Sequence, residues 1–263
     1  MKWWRIVFWG LLLCSCELQE QNWEEEVPTR IFSTVAAATS ILLQCDAPIV
    51  AVDEYSSIVD TGGRLNIVGR GAAISLEQIM ALEIDGAVVW SYQEELAETL
   101  RGHGIRVLQI SPPRLGDIAE MIQTIGTWSG KEERAEHLAA EFRSTLESIQ
   151  MEEEYPPVPV YFELYSANKG AGEASYIGDL LSLAGGRSIL PETGPTGSEV
   201  IVTAMPEVIF YIEEFCRDNL ATRAGIAATP AGRSCRIYPV PRRLVTEGIA
   251  PFEAIEYLRK RMR

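Results

Sequence analysis

One long amphipathic segment in the middle of the chain restricts the available folds more than any other feature. Ser129 and Glu132 stand as a capping box, and Ala135, Leu138, Ala139, Phe142, Leu146 and Ile149 recur on one face of a helix. The pattern closes on Glu152-Glu153-Glu154, with Pro156 and Pro157 beyond it. A helix over 130–154 spans on the order of 30 Å at about 1.5 Å per residue, more than a crossover between neighbouring strands needs. It reads as a bridge between two bodies, 29–129 and 155–263.

Both flanks alternate short apolar runs with helical patterns. Ile49 to Val52, Ile67-Val68, Ala87 to Trp90 and Val107 to Ile110 read as buried strands before the bridge. After it come Val160 to Leu164, a helix around Glu173 to Leu183, Val208 to Ile212 and Arg236 to Val240. A last helix opens at Pro251 and ends on Arg259-Lys260-Arg261, which suits the negative pole of its dipole. Strands separated by helices imply parallel pairing, so the expected class is α/β with two lobes. The lobes also echo each other. Glu77 lies eight residues before Asp85, which opens Gly86 to Trp90, and Glu199 lies eight residues before Glu207, which opens Val208 to Phe210.

The N-terminus has a different character. Lys2 and Arg5 precede an eight-residue apolar run, Ile6 to Leu13, too short to span a bilayer and shaped as a secretory signal. It ends in Leu13-Cys14-Ser15-Cys16, which resembles the bacterial lipoprotein signal, with Ser15 as the small residue before an acylated Cys16. Residues 1–15 are therefore expected to be removed, Cys16 to carry lipid, and the acidic stretch 16–28 to act as a tether from the membrane. Losing Lys2 and Arg5 takes the formal charge from −14 to −16, a balance that argues against nucleic acid. Cys45, Cys216 and Cys235 remain; the local pair Cys216 and Cys235 can bridge in an export compartment, but three thiols form no disulfide framework.

The usual signs of catalysis are missing. His103 sits in an Arg-Gly-His-Gly turn and His137 beside the apolar stripe of the central helix, both structural or solvent-facing positions. Gly69-Arg70-Gly71 has Ile74 where a dinucleotide fingerprint needs its third glycine, and Gly126 to Lys131 lacks the spacing of a phosphate loop. Large polar side chains instead follow the strands, where open α/β sheets bind ligands. The first lobe offers Asp53, Glu54 and Tyr55, then Arg70, then Trp90 and Tyr92; the second offers Tyr165 and Lys169. Together they describe an aromatic crevice of mixed charge for a bulky planar or chelated ligand, with no resident cofactor and no cluster for a bare metal.

In order along the chain, these features resemble a known family. They are Ser33 with Thr39 before a helix, Val52 to Ser56 with its Tyr55, Val68-Gly69, Ser75-Leu76-Glu77 with Leu82 to Val89, Gly126 and Gly130, Leu180 to Ile189 with its paired glycines, and Pro206 to Phe210. The pattern is similar to the substrate-binding proteins of ABC importers for cobalamin, iron-siderophores and haem. The resemblance implies two Rossmann-like lobes joined by one rigid helix, a ligand cleft between them and only modest closure. It implies a monomer that delivers a small-molecule metal chelate to a permease dimer with its ATPase, Glu77 and Glu199 meeting permease arginines. The chain departs from the pattern at Ala36, Ser40 and Ile84. Arg70 and Lys169 suit an anionic chelate, Trp90 and the tyrosines a corrin or porphyrin face, and Tyr55 a phenolate bond to iron, so siderophore, cobalamin and haem all stay open. An exported α/β enzyme using Asp53 and Glu54, and an anchored ligand sensor, are the alternatives from other classes.

Overall fold

A computed structural model describes residues 27–59, 62–71, 73–150, 156–215, 220–223 and 225–263. The signal segment, Cys16, the tether before residue 27, Glu152 to Glu154 and Cys216 lie outside them.

The first lobe runs β1 (Ile31–Ser33), α1 (Ala36–Gln44), β2 (Ile49–Val52), β3 (Asn66–Ile67), the small hairpin β4 (Gly69–Arg70) and β5 (Ala73–Ile74), α2 (Leu76–Ala81), β6 (Gly86–Trp90), α3 (Glu94–Gly102) and β7 (Arg106–Ile110). Helices α4 (Ile118–Trp128) and α5 (Glu132–Gln150) follow. The second lobe runs β8 (Val158–Glu163), β9 (Lys169–Gly170), α6 (Tyr176–Leu183), β10 (Gly186–Ser188), β11 (Gly194–Pro195), α7 (Ser198–Thr203), β12 (Val208–Ile212), α8 (Pro230–Arg233), β13 (Ile237–Val240), α9 (Arg242–Val245) and α10 (Pro251–Met262).

The first sheet is parallel throughout, in the order β3-β2-β1-β6-β7. The second has a parallel body, β10-β8-β12-β13, with the antiparallel pair β9 and β11 attached beyond Glu163. The two bodies share one topology: the lobe's first strand, β1 or β8, lies inside the sheet, β2 or β10 lies to one side, and β6-β7 or β12-β13 lies to the other. In this correspondence α2 before β6 matches α7 before β12, so the echo between Glu77 and Glu199 reflects a structural repeat. Each glutamate is the second residue of its helix, and both are exposed.

Strand alternation separates the cores. In the first sheet Ile31, Val52 and Val88 face one side, while Phe32, Ala51, Ala87 and Val89 face α2 and α3 on the other. In the second sheet Val160, Phe162, Val208 and Phe210 face the same cluster as Ile31 and Val52, while Tyr161 and Ile209 face the outer one. The lobes therefore share a central layer of α1, α4, α5, α6 and α10 as well as a connecting helix. Phe142 of α5 meets Phe252 of α10 at 5.1 Å between ring centres. At Gly248, where φ is +69°, a Cβ would stand 3.3 Å from the Ala37 methyl of the other lobe. A shared core resists large opening.

Several local expectations change. Ser129 does not cap α5; it closes α4, its hydroxyl donating to the carbonyls of Ile125 and Gly126. Gly130 then turns the chain at φ +66° and α5 starts at Glu132. Gly126 belongs to the α4–α5 crossing, where a Cβ would fall 2.1 Å from that of Ala135. The strand at 67–68 is Asn66–Ile67, an exposed edge, with the buried Val68 just after it. Central β1 and the short β10 have no counterpart among the expected strands. The helix placed at Glu173 begins at Tyr176, where the Ser175 hydroxyl accepts from the Gly178 N–H.

Candidate functional site: a cleft between the lobes

The carboxyl ends of both sheets face one cavity of about 1300 Å³. That exceeds the roughly 300–1,000 Å³ of ordinary small-molecule sites, so the occupant it suits is bulky. One wall comes from the first lobe: Thr34 after β1, Asp53 and Tyr55 after β2, and Trp90 and Tyr92 at the end of β6. The other comes from Tyr165 after β8, Tyr176 opening α6, Phe215 after β12, and Arg242 and Glu247 after β13.

Local bonds hold each wall in shape. The Asp53 carboxylate accepts from the Ser56 N–H at 2.8 Å, starting the turn that presents Tyr55. Gln93 accepts from the Thr34 hydroxyl at 2.6 Å and from the Trp90 N–H at 3.0 Å, tying the ends of two strands together. Trp90 and Tyr92 lie nearly parallel, 5.9 Å apart and 10° from coplanar, and Tyr92 is 69% exposed. Such a stacked pair offers a flat apolar face. Two sets of side-chain contacts join the lobes. Arg114, after β7, makes a two-pronged ion pair with Asp179 of α6, whose carboxylate also accepts from the Leu115 N–H. Arg242 donates to the Tyr55 carbonyl at 3.1 Å and stands over the Tyr55 and Phe215 rings.

Of the side chains expected in the site, Tyr55, Trp90, Tyr92 and Tyr165 line the cavity together. Arg70 and Lys169 stand outside the lining. Arg70 donates to the Tyr55 hydroxyl at 3.1 Å and pairs with Glu54 at 3.3 Å, and Lys169 sits 4.4 Å above the Tyr165 ring, its ammonium on that hydroxyl. Both cations are committed to the tyrosines at the rim. Arg242, Glu247, Tyr176 and Phe215 were not anticipated, although Arg242 follows the expected strand Arg236 to Val240 and the rule that selects Tyr55 selects it too.

The electrostatics of the floor follow from burial. Asp53 is 2% exposed and its carboxyl is pushed above the usual range, its bonds from Ser56 and Tyr55 opposing the shift. Desolvation likewise raises Glu247, against the pull of Arg242. Burial raises the Tyr92 phenol, and the nearby Glu247, Asp53 and Tyr165 add to it, so these groups from both lobes converge on one spot. Tyr176 rises for the same first reason, with its oxygen accepting from the Gly248 N–H. His103 and His137 are both exposed and away from the cleft, and no cluster of three or more metal-ligating side chains occurs among the described residues.

Two α/β lobes meeting around one large aromatic cleft are the architecture of a solute-binding receptor. The chain belongs to the periplasmic binding protein family, whose sequence pattern matches residues 32–244. It is 25% identical over 250 residues to the vitamin B12-binding protein of Vibrio parahaemolyticus, covering 86% of this chain and 90% of that one. It is 24% identical over 235 residues to that of Vibrio cholerae, covering 82% and 85%. Among solved structures, a periplasmic haem-binding protein in complex with two haems superposes with a TM-score of 0.77 at 19% identity, over 89% of this chain and 97% of that one. The periplasmic vitamin B12-binding protein of Vibrio cholerae superposes with a TM-score of 0.75 at 21% identity, over 89% and 96%.

Proposed function

We propose that the chain is the extracytoplasmic solute-binding component of an ABC importer. It captures a planar metal macrocycle, corrinoid or haem, and hands it unchanged to a permease dimer with its ATPase. The observation that carries this reading is the cleft: about 1300 Å³ between the lobes, walled by the stacked Trp90 and Tyr92 and by Tyr55 and Tyr165. A ring of that kind buries its faces on aromatic side chains and leaves its edge to the polar floor. The vitamin B12- and haem-binding relatives support the same class. In this reading Cys16 carries the lipid anchor, residues 16–28 tether the monomer, and the exposed Glu77 and Glu199 dock the permease. Their equivalent places on α2 and α7 suit a two-fold partner that reads one acid from each lobe.

Titrating tryptophan fluorescence with cyanocobalamin, haemin, and hydroxamate and catecholate iron chelates tests the ligand class. One macrocycle should quench Trp90 with one saturable transition and be recovered intact; chemical change of the ligand, or binding only by the open-chain chelates, overturns the reading. Glu77→Ala with Glu199→Ala should abolish uptake while leaving ligand affinity unchanged. Undiminished uptake refutes the docking assignment.

A further inference from the structure

The charges lining the cleft are one-sided. Asp53, Glu94, Glu95 and Glu247 line it, while among the described residues Arg242 is its one cationic side chain. The cations expected to receive an anionic ligand, Arg70 and Lys169, are engaged at the rim with Tyr55, Glu54 and Tyr165. Arg242 is itself held between the Tyr55 and Phe215 rings and on the Tyr55 carbonyl, and its field already acts on both Asp53 and Glu247. Asp53 and Glu247 therefore face the occupant from opposite lobes, and the four lining carboxylates outnumber the one lining cation.

We infer that the cleft selects macrocycles edged with carboxamides over macrocycles edged with carboxylates, through Asp53 of one lobe and Glu247 of the other. This rests on the macrocycle reading above and specifies the chemistry of the ring's edge. A carboxamide offers an N–H to an ionised carboxylate and a C=O to a protonated one, so it satisfies Asp53 and Glu247 in either state. A ligand carboxylate only accepts; beside an ionised Asp53 or Glu247 it meets like charge in a partly dry cleft, where repulsion is poorly screened.

The test compares two corrin rings that differ at the edge: dicyanocobinamide, with amides, and dicyanocobyrinic acid, with free carboxylates. Haemin serves as a third ligand, and calorimetry at pH 7 gives the affinities. The amide ring should bind at least about tenfold more tightly than the acid ring, since one uncompensated like-charge contact accounts for that much. Glu247→Gln, and separately Asp53→Asn with Glu247→Gln, should narrow the ratio severalfold by strengthening the acid ring. Asp53 also receives the Ser56 N–H, so the single Glu247 variant keeps the test valid if the double variant fails to fold. Equal affinity for the two corrins, a preference for the acid ring, or a ratio unmoved by Glu247→Gln overturns the inference. Haemin binding more tightly than the amide ring overturns it too, while leaving the macrocycle reading intact; if none of the three binds, both readings fall.

Discussion

Glu163 closes β8 inside the second lobe with no exposed surface, and Arg223 meets it at 2.5 Å while retaining 18% exposure. The same carboxylate accepts from the Tyr161 hydroxyl at 3.2 Å and from the Asn168 N–H at 3.1 Å, so it anchors the loop that carries Tyr165 into the cleft. Removing one partner of a buried ion pair costs about 3–5 kcal/mol where the remaining charge is left buried. Arg223 keeps some contact with water, which favours the low end, and the lost bonds from Tyr161 and Asn168 add back a part. For Glu163→Ala we expect a loss of about 3–4 kcal/mol. In a folded body of this size each kcal/mol moves Tm by about 2–4 °C, giving roughly 6–16 °C in a calorimetric scan. Glu163→Gln keeps an acceptor oxygen for Asn168 and Tyr161 but gives up the charge, so it should lose about half as much. Ligand affinity should fall with both, and more with alanine, as the Tyr165 loop loses its anchor. A shift under about 2 °C for alanine, or a glutamine variant as damaged as the alanine one, refutes the ion pair as the anchor.

Two further outcomes follow from geometry and charge. Gly126→Ala places a methyl where α4 and α5 touch, 2.1 Å from the Ala135 Cβ, and should cost about 1–3 kcal/mol in urea unfolding; no change in midpoint would mean the crossing yields freely. The Glu247 carboxyl is raised in the folded chain above its ordinary value of about 4.3, so the native state holds the proton more tightly than the unfolded one. Its contribution to stability is complete below that ordinary value and is lost as pH rises through the folded one. As pH rises from about 4 the native chain should therefore lose more Tm than Glu247→Gln does; parallel Tm curves would show that Glu247 is not desolvated.

The parts of the fold legible in sequence were those with local causes. The stripe from Ala135 to Ile149 marks α5 because a helix repeats its buried face within the segment, and Ala87 to Trp90 marks β6 because a strand covered on both sides must be apolar throughout. Central β1 escaped because Ile31–Ser33 is only three residues, too short for a period to register. Ser129 and Glu132 fit a capping box by spacing alone, and whether a serine ends one helix or starts the next depends on the turn at Gly130. Tyr55, Trp90, Tyr92 and Tyr165 were found as side chains following strands. Arg242 and Glu247 follow the same rule but lie more than 180 residues from Tyr55 in the chain, and nothing local announces that they face it.

The sequence by itself determined the α/β class, the long helix now seen at Glu132–Gln150 and the repetition that puts Glu77 and Glu199 at matching helix positions, since each is written in short-range pattern or in repetition. Only the tertiary structure decided that the lobes share one apolar layer and that Arg114 and Arg242 each reach from one lobe to the other. It also decided that Arg70 and Lys169 serve the tyrosines at the rim while Asp53 and Glu247 hold the floor. The reason is physical. A side chain's charge acts according to what surrounds it, and in this protein Asp53, Tyr55 and Tyr92 each take part of their surroundings from the other half of the chain.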